Sequence, residues 1–288
     1  MALETHTQFY SVETPEGARK LAFQMWQQSS MDTAPVLICV HGLTRNRHDF
    51  DVLAEAMTNH YRVVTVDMIG RGDSDWVTDP SHYGYPLYVS IMQQLMTHLA
   101  DMTGEGRFDW LGTSMGGLIG MMLAASPNTQ IDRMILNDIG PEIPLTGLQR
   151  LAGYVGQAPG FVSLLDVEDY LRVTAAGFGK LTDAQWRTMA THAARKDESG
   201  NWQLTYDPAI RNAFDGVDED IDLTGVWSMV SCPVLVLRGA HSDLLTEDGL
   251  QRMCQRRSTY SFTVADAGHA PALQSEEEIE AVAKFLTA

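Results

Sequence analysis

The chain opens with two short stretches in which apolar and polar residues alternate, residues 8–12 and 20–27, separated by Thr14-Pro15-Glu16-Gly17. Alternation with period two marks a half-buried strand, and the separating residues are turn formers, so this pair predicts an antiparallel hairpin. The pattern then changes. Val36-Leu37-Ile38-Cys39-Val40 is apolar without a break, as a strand covered on both faces must be. Residues 62–66, 108–111, 131–136, 234–237 and 260–264 are further candidates of that kind. Helical spacing fills the gaps. Phe50, Leu53, Ala54 and Met57 share one face of residues 50–57, and Tyr88, Ile91, Met92, Leu95, Met96 and Leu99 share one face of residues 88–99. Residues 115–125 are apolar nearly all round, which predicts a deeply buried helix. Residues 277–286 carry acids in their first turn, where the helix dipole favours them. Strands alternating with helices predict an α/β fold whose sheet is mostly parallel and covered on both faces.

One stretch breaks the alternation. From Gly140 to about Gly225 there is no clear buried strand, only amphipathic pieces at residues 148–155, 167–173, 183–194 and 207–214. This predicts a mainly helical insertion at residues 140–225, flanked by a core made of residues 1–139 and 226–288. The acidic run 215–222 lacks the ligand spacing and distal Glu of a calcium loop and reads as a solvated loop. No internal repeat and no low-complexity linker is present.

Composition narrows the functional classes. Hydrophobic residues make up 44% of the 288 and charged residues 20%, an ordinary globular mix. The net charge of −17 repels phosphate backbones and anionic lipid, which argues against nucleic acid and acidic membranes as partners. The most apolar stretch, residues 118–125, is far short of the roughly 20 residues a bilayer requires. Residues 1–10 have no basic start and no apolar run, so they do not read as a secretory signal. Cys39, Cys232 and Cys254 cannot all pair and fit no metal spacing. Cys39 and Cys232 border apolar runs and read as small buried hydrophobes. These features point to the reducing cytoplasm.

The chemistry concentrates at strand ends. Gly112-Thr113-Ser114-Met115-Gly116 matches G-x-S-x-G, follows the predicted strand at 108–111 and opens a helix. A serine on so tight a strand-to-helix turn is strained and projects above the sheet edge, and a Cβ at either glycine would crowd the turn. The helix start beside it directs N–H groups at a developing oxyanion. A nucleophilic serine needs a base and the base an orienting acid. His269 follows the strand at 260–264, and Asp243 follows the strand at 234–237, in the order Ser…Asp…His. Asp138, after the strand at 131–136, is the competing acid; otherwise it anchors the entrance to the insertion. His41 and Asp67 read as structural, Asp67 by accepting N–H groups of its own glycine-rich loop. Arg45 is either a substrate contact or a solvated or salt-bridged cation. Gly70-Arg71-Gly72 lacks the third glycine of a dinucleotide loop and the helix that would follow it.

Taken with Val40-His41-Gly42-Leu43 and Asp67-Met68-Ile69-Gly70-Arg71-Gly72-Asp73-Ser74, these loops resemble the α/β-hydrolase-fold superfamily over nearly the whole chain, with a bacterial carboxylesterase-like character. The resemblance implies Ser114 as nucleophile, His269 as base and Asp243 as acid. It implies an oxyanion hole from the backbone N–H groups of Leu43 and Met115, and a helical cap at residues 140–225. Hydrolysis of small, fairly neutral carboxylic esters through an acyl-serine follows as the expectation, with no metal or organic cofactor. Tyr170, Phe178, Trp186 and Trp202 are either pocket walls or packing residues of the cap core, and Met121-Met122 either line an adaptable pocket or pack the helix. Lactonase, thioesterase and perhydrolase activities are not distinguished. Carbon–carbon bond hydrolases of this fold commonly carry Asn before the serine and Trp after the histidine, where this chain has Thr113 and Ala270. Ser114 argues against the carboxylate-nucleophile dehalogenases and epoxide hydrolases. A non-enzymatic ligand receptor of the same fold is the alternative of a different class.

Overall fold

A computed structural model describes residues 3–157 and 159–288; Met1 and Ala2, part of the stretch read for a secretory signal, lie outside it. In chain order the elements are β1 (Leu3–Thr14), β2 (Gly17–Gln28), β3 (Val36–Val40), a 3₁₀ turn (Arg47–Phe50), α1 (Asp51–Met57), β4 (Arg62–Asp67), α2 (Tyr85–Thr103), β5 (Phe108–Thr113), α3 (Met115–Ala124) and β6 (Ile131–Asn137). The chain then leaves the sheet through β7 (Glu142–Ile143), α4 (Leu145–Ala152), α5 (Leu164–Thr174), α6 (Asp183–Ala193), β8 (Ala194–Lys196), β9 (Trp202–Leu204), a 3₁₀ segment (Pro208–Phe214), β10 (Ile221–Asp222) and α7 (Thr224–Met229). It returns with β11 (Val234–Gly239), α8 (Glu247–Cys254), β12 (Thr259–Val264) and α9 (Glu276–Leu286).

Eight strands form one sheet in the order β1-β2-β4-β3-β5-β6-β11-β12. The hairpin β1–β2 is antiparallel, as is its junction with β4, and the remaining pairs are parallel. Each hairpin strand runs 12 residues, well beyond the alternating segments. Every residue of β3, β4 and β11 is buried, because both sheet faces are covered. Period-two geometry sorts their side chains. Ile38, Val40, Val64, Val66, Trp110, Leu136 and Val236 join the core beneath α2 and α3. Leu37, Cys39, Val63, Leu111, Ile135 and Leu237 join the opposite core, closed by α1 and α9 through Leu53, Val282 and Leu286. Strand β12 departs from the expectation of burial on both faces. It is the outermost strand, and Tyr260, Ser261 and Thr263 are exposed.

The stretch between β6 and β11 is mainly helical, with α4, α5, α6 and the 3₁₀ segment falling on the four amphipathic pieces. The pairs β8–β9 and β7–β10 are too short to show as runs of hydrophobicity. The acidic run has local tasks: Asp220 accepts from the N–H of Leu145 at the start of α4, and Asp222 from the N–H of Thr224 at the start of α7. Among the described residues no helix is long and apolar enough to cross a membrane, and the three cysteines are free, Cys39 and Cys232 buried.

Candidate active site

Strand β5 ends at Thr113 and α3 begins at Met115, so Ser114 must turn the chain between them within one residue. It does so with φ +51°, ψ −112°, a conformation that side-chain-bearing residues rarely adopt. The flanking glycines allow this. A Cβ on Gly116 would lie 2.0 Å from the Val40 carbonyl oxygen, and one on Gly112 would lie 2.3 Å from the Gly116 backbone. The turn therefore presses against the end of β3, and the His41-Gly42-Leu43 loop that follows β3 comes to rest beside the serine.

Ser114 Oγ donates to His269 Nε2 at 2.9 Å, and His269 Nδ1 donates to Asp138 Oδ2 at 2.8 Å. Asp138 and not Asp243 is thus the carboxylate against the histidine, which corrects the sequence expectation. Asp138 stands directly after β6, has φ +56° and is fully buried. Its Oδ1 accepts from the Gly239 N–H at 2.7 Å, and Oδ2 also accepts from Ser242 Oγ at 2.5 Å. Ser242 in turn accepts from the N–H groups of Leu244 and Leu245, which holds the loop after β11 in place. That loop turns Ser242 inward and Asp243 outward. Asp243 accepts from Arg150 of α4 at 2.5 and 2.8 Å, and the guanidinium holds its carboxyl below the usual carboxylate range.

Two residues for which the sequence suggested no role brace this arrangement. Asn137 donates to Thr113 Oγ1 at 3.0 Å and to the Pro271 carbonyl at 2.8 Å, joining the serine strand to the histidine loop. Arg71 is fully buried; its Nε donates to the Leu43 carbonyl at 2.9 Å and its Nη1 to Ile69 O and Tyr88 Oη, both at 2.8 Å. Its Nη2 lies 3.4 Å from Met115 Sδ, so one guanidinium touches both residues expected to supply an oxyanion hole. Only the glycine-rich loop around Arg71 was visible in the sequence, because partners 28 to 44 positions apart form no local pattern.

His41 and Asp67 occupy structural positions. His41 is buried, donates to Gly42 O through Nδ1 and accepts from the Met68 N–H through Nε2. Burial pushes it down to about 3, so the ring is neutral. Asp67 accepts from the N–H groups of Arg47 and Asp73 and pairs with the Arg47 guanidinium.

A narrow cavity of about 60 Å³ opens on Ser114 and His269, between the Leu43-Thr44-Arg45 loop and residues of the insertion. Of the four aromatic residues with two readings, Tyr170 and Phe178 line it, together with Tyr154, Leu171 and Tyr206, whose places were not foreseen. Trp186 and Trp202 are not among its walls; they lie beneath Arg172 and Lys196. Met121 packs in the core. Arg45 is the salt-bridged cation of the two readings, paired with Asp49 at 2.6 Å and buried where it lines the cavity.

Comparison with known proteins agrees with this architecture. Residues 37–284 match the model of the alpha/beta hydrolase family. A 3-hydroxybutyrate-oligomer hydrolase of Cupriavidus necator is 36% identical over 97% of both chains. An esterase of Mycobacterium tuberculosis is 27% identical over 85% of this chain and 79% of its own. The crystal structure of an alpha/beta hydrolase from Novosphingobium aromaticivorans superposes with a TM-score of 0.86 at 31% identity, covering 98% of each chain. A family match that runs from β3 to α9, through both the serine turn and the histidine loop, settles the relationship: the chain belongs to the alpha/beta hydrolase family.

Proposed function

We propose that this hydrolase cleaves carboxylic esters through an acyl-Ser114 intermediate. The observation that carries the reading is the hydrogen-bonded chain Ser114–His269–Asp138 opening on the cavity. His269 takes the serine proton as Oγ attacks the ester carbonyl, and Asp138, in place of Asp243, orients the ring and stabilises the imidazolium. The backbone N–H groups of Leu43 and Met115 receive the oxyanion, with Met115 at the positive end of α3. Collapse expels the alcohol with the proton from His269, and water, activated by the same ring, releases the acid.

Residues 140–225 act as a cap that sets the size of the acyl group. By the rule that a water occupies roughly 10–15 Å³ of such space, the cavity holds about four to six waters, room for a short acyl chain. That size, and the full-length likeness to a hydrolase of 3-hydroxybutyrate oligomers, favour short hydroxyacid oligoesters within the class of small esters. The free cysteines, Cys39 and Cys232 of them buried, favour a reducing compartment, the cytoplasm.

A labelled fluorophosphonate followed by peptide mapping tests the nucleophile without assuming a substrate. Label on Ser114 is expected, and Ser114→Ala is expected to lose ester turnover by roughly 10⁴-fold or more while remaining folded. A folded protein that takes no label, or a Ser114→Ala variant that keeps its turnover, removes the acyl-serine reading and brings the receptor alternative forward.

A further inference from the structure

Away from the serine, three side chains of metal-ligating type, two of them three residues apart and the third from a distant helix, meet at the seam between the insertion and the sheet-bearing body. His48 lies in the 3₁₀ turn Arg47–Phe50, Asp51 opens α1, and His192 lies in the last turn of α6. One ligand atom from each lies within 4.8 Å of the others. The two imidazole rings stack with centroids 3.8 Å apart, and His48 Nδ1 is 2.9 Å from Asp51 Oδ2. The other carboxylate oxygen, Asp51 Oδ1, is buried and has no hydrogen-bond donor among the described residues. The neighbouring cations are already matched: Arg45 pairs with Asp49, and Arg47 with Asp67 and Asp73. Asp51 is therefore the anion without an arginine partner. A cavity of about 170 Å³ adjoins the three residues and is also walled by Asp49, Gln185 and Thr188, leaving space for water ligands.

We propose that His48, Asp51 and His192 bind one divalent transition-metal ion of the zinc type, clamping α6 of the insertion to α1. Two imidazoles and one carboxylate form a donor set suited to such ions. Tetrahedral bonds of about 2.0–2.1 Å place ligand atoms about 3.3–3.4 Å apart, so binding draws the present spread in by up to about 1.4 Å and turns the stacked imidazoles until one nitrogen of each faces the ion. The scaffold on the insertion side is already fixed, because Asn46 Nδ2 donates to the His192 carbonyl at 2.9 Å. The ion takes no part in ester cleavage; it is a cross-link between the segment over the serine and the body beneath it. This inference does not depend on the proposed reaction.

The test is calorimetric titration of zinc chloride into the full, tag-free chain after chelator treatment, with thermal unfolding measured in parallel. One ion per chain and a rise in Tm are expected. His192→Gln and Asp51→Asn, each shown to be folded by circular dichroism, are expected to weaken zinc by about tenfold or more and to abolish the rise in Tm. His269→Gln is expected to leave zinc affinity unchanged. Absence of saturable binding overturns the proposal. So does binding that survives both substitutions, or binding that His269→Gln removes, which would place the ion at the serine instead.

Discussion

At the residue scale the two aspartates carry the sharpest contrast. Asp138 is fully buried and receives three hydrogen bonds, one of them from His269, whereas Asp243 is more than a third exposed and paired with Arg150. An amide at position 138 cannot hold the imidazole tautomer that the serine needs, so Asp138→Asn is expected to lower kcat by about 10³–10⁴-fold. Asp243→Asn removes only a half-exposed ion pair, worth about 0.2–1 kcal/mol, and is expected to leave kcat near wild type. Ester kinetics on the two variants decide it; a larger loss at 243 would return the orienting role to Asp243. The sequence could not separate these residues. Both follow strands and both suit a loop acid, and the order Ser…Asp…His favours 243. The choice is made by the turn after β11, where Ser242 and not Asp243 faces inward.

At the element scale the site depends on how closely α3 approaches β3. Alanine is about 1 kcal/mol better than glycine inside a helix, and Gly225 of α7 has nothing within 4 Å of its would-be Cβ. Gly225→Ala is expected to be neutral or to stabilise by up to about 1 kcal/mol. At Gly116 the same change drives a methyl group to 2.0 Å from the Val40 carbonyl, which is backbone and cannot swing aside. That clash outweighs the helix gain, and Gly116→Ala is expected to cost at least about 3 kcal/mol and to misplace Ser114. Urea midpoints of the two variants give the comparison; equal midpoints would show that the tight approach is not what holds the turn. The elements themselves were largely legible because their hydrophobic periods are long. The short pairs β7–β10 and β8–β9, two and three residues each, are stabilised by partners distant in sequence and leave no such period.

At the scale of the whole molecule the net charge of −17 sets a field that every substrate crosses. An oligoester of a hydroxy acid with a free terminal carboxylate is repelled, and its methyl ester is not. Raising ionic strength from about 0.01 to 0.15 M shortens the Debye length from about 30 to about 8 Å. The expected result is that kcat/KM for the anionic ester rises severalfold while that for the methyl ester stays level. A fall for the anionic ester would mean that Arg45, which lines the cavity, outweighs the global charge.

The sequence by itself determined the layered α/β architecture, the serine turn and the histidine loop. Buried parallel strands must be apolar throughout, the serine turn requires glycines at two fixed offsets, and both are local properties of the chain. Only the tertiary structure decided which carboxylate reaches His269, which insertion residues wall the cavity, that Arg71 touches both Leu43 and Met115, and that His48, Asp51 and His192 meet. Apart from the local His48–Asp51 pair, these are contacts between loops and helix ends whose neighbours lie tens to more than a hundred positions away. Their geometry follows from how the sheet and the insertion pack together, and a one-dimensional pattern holds no record of that packing.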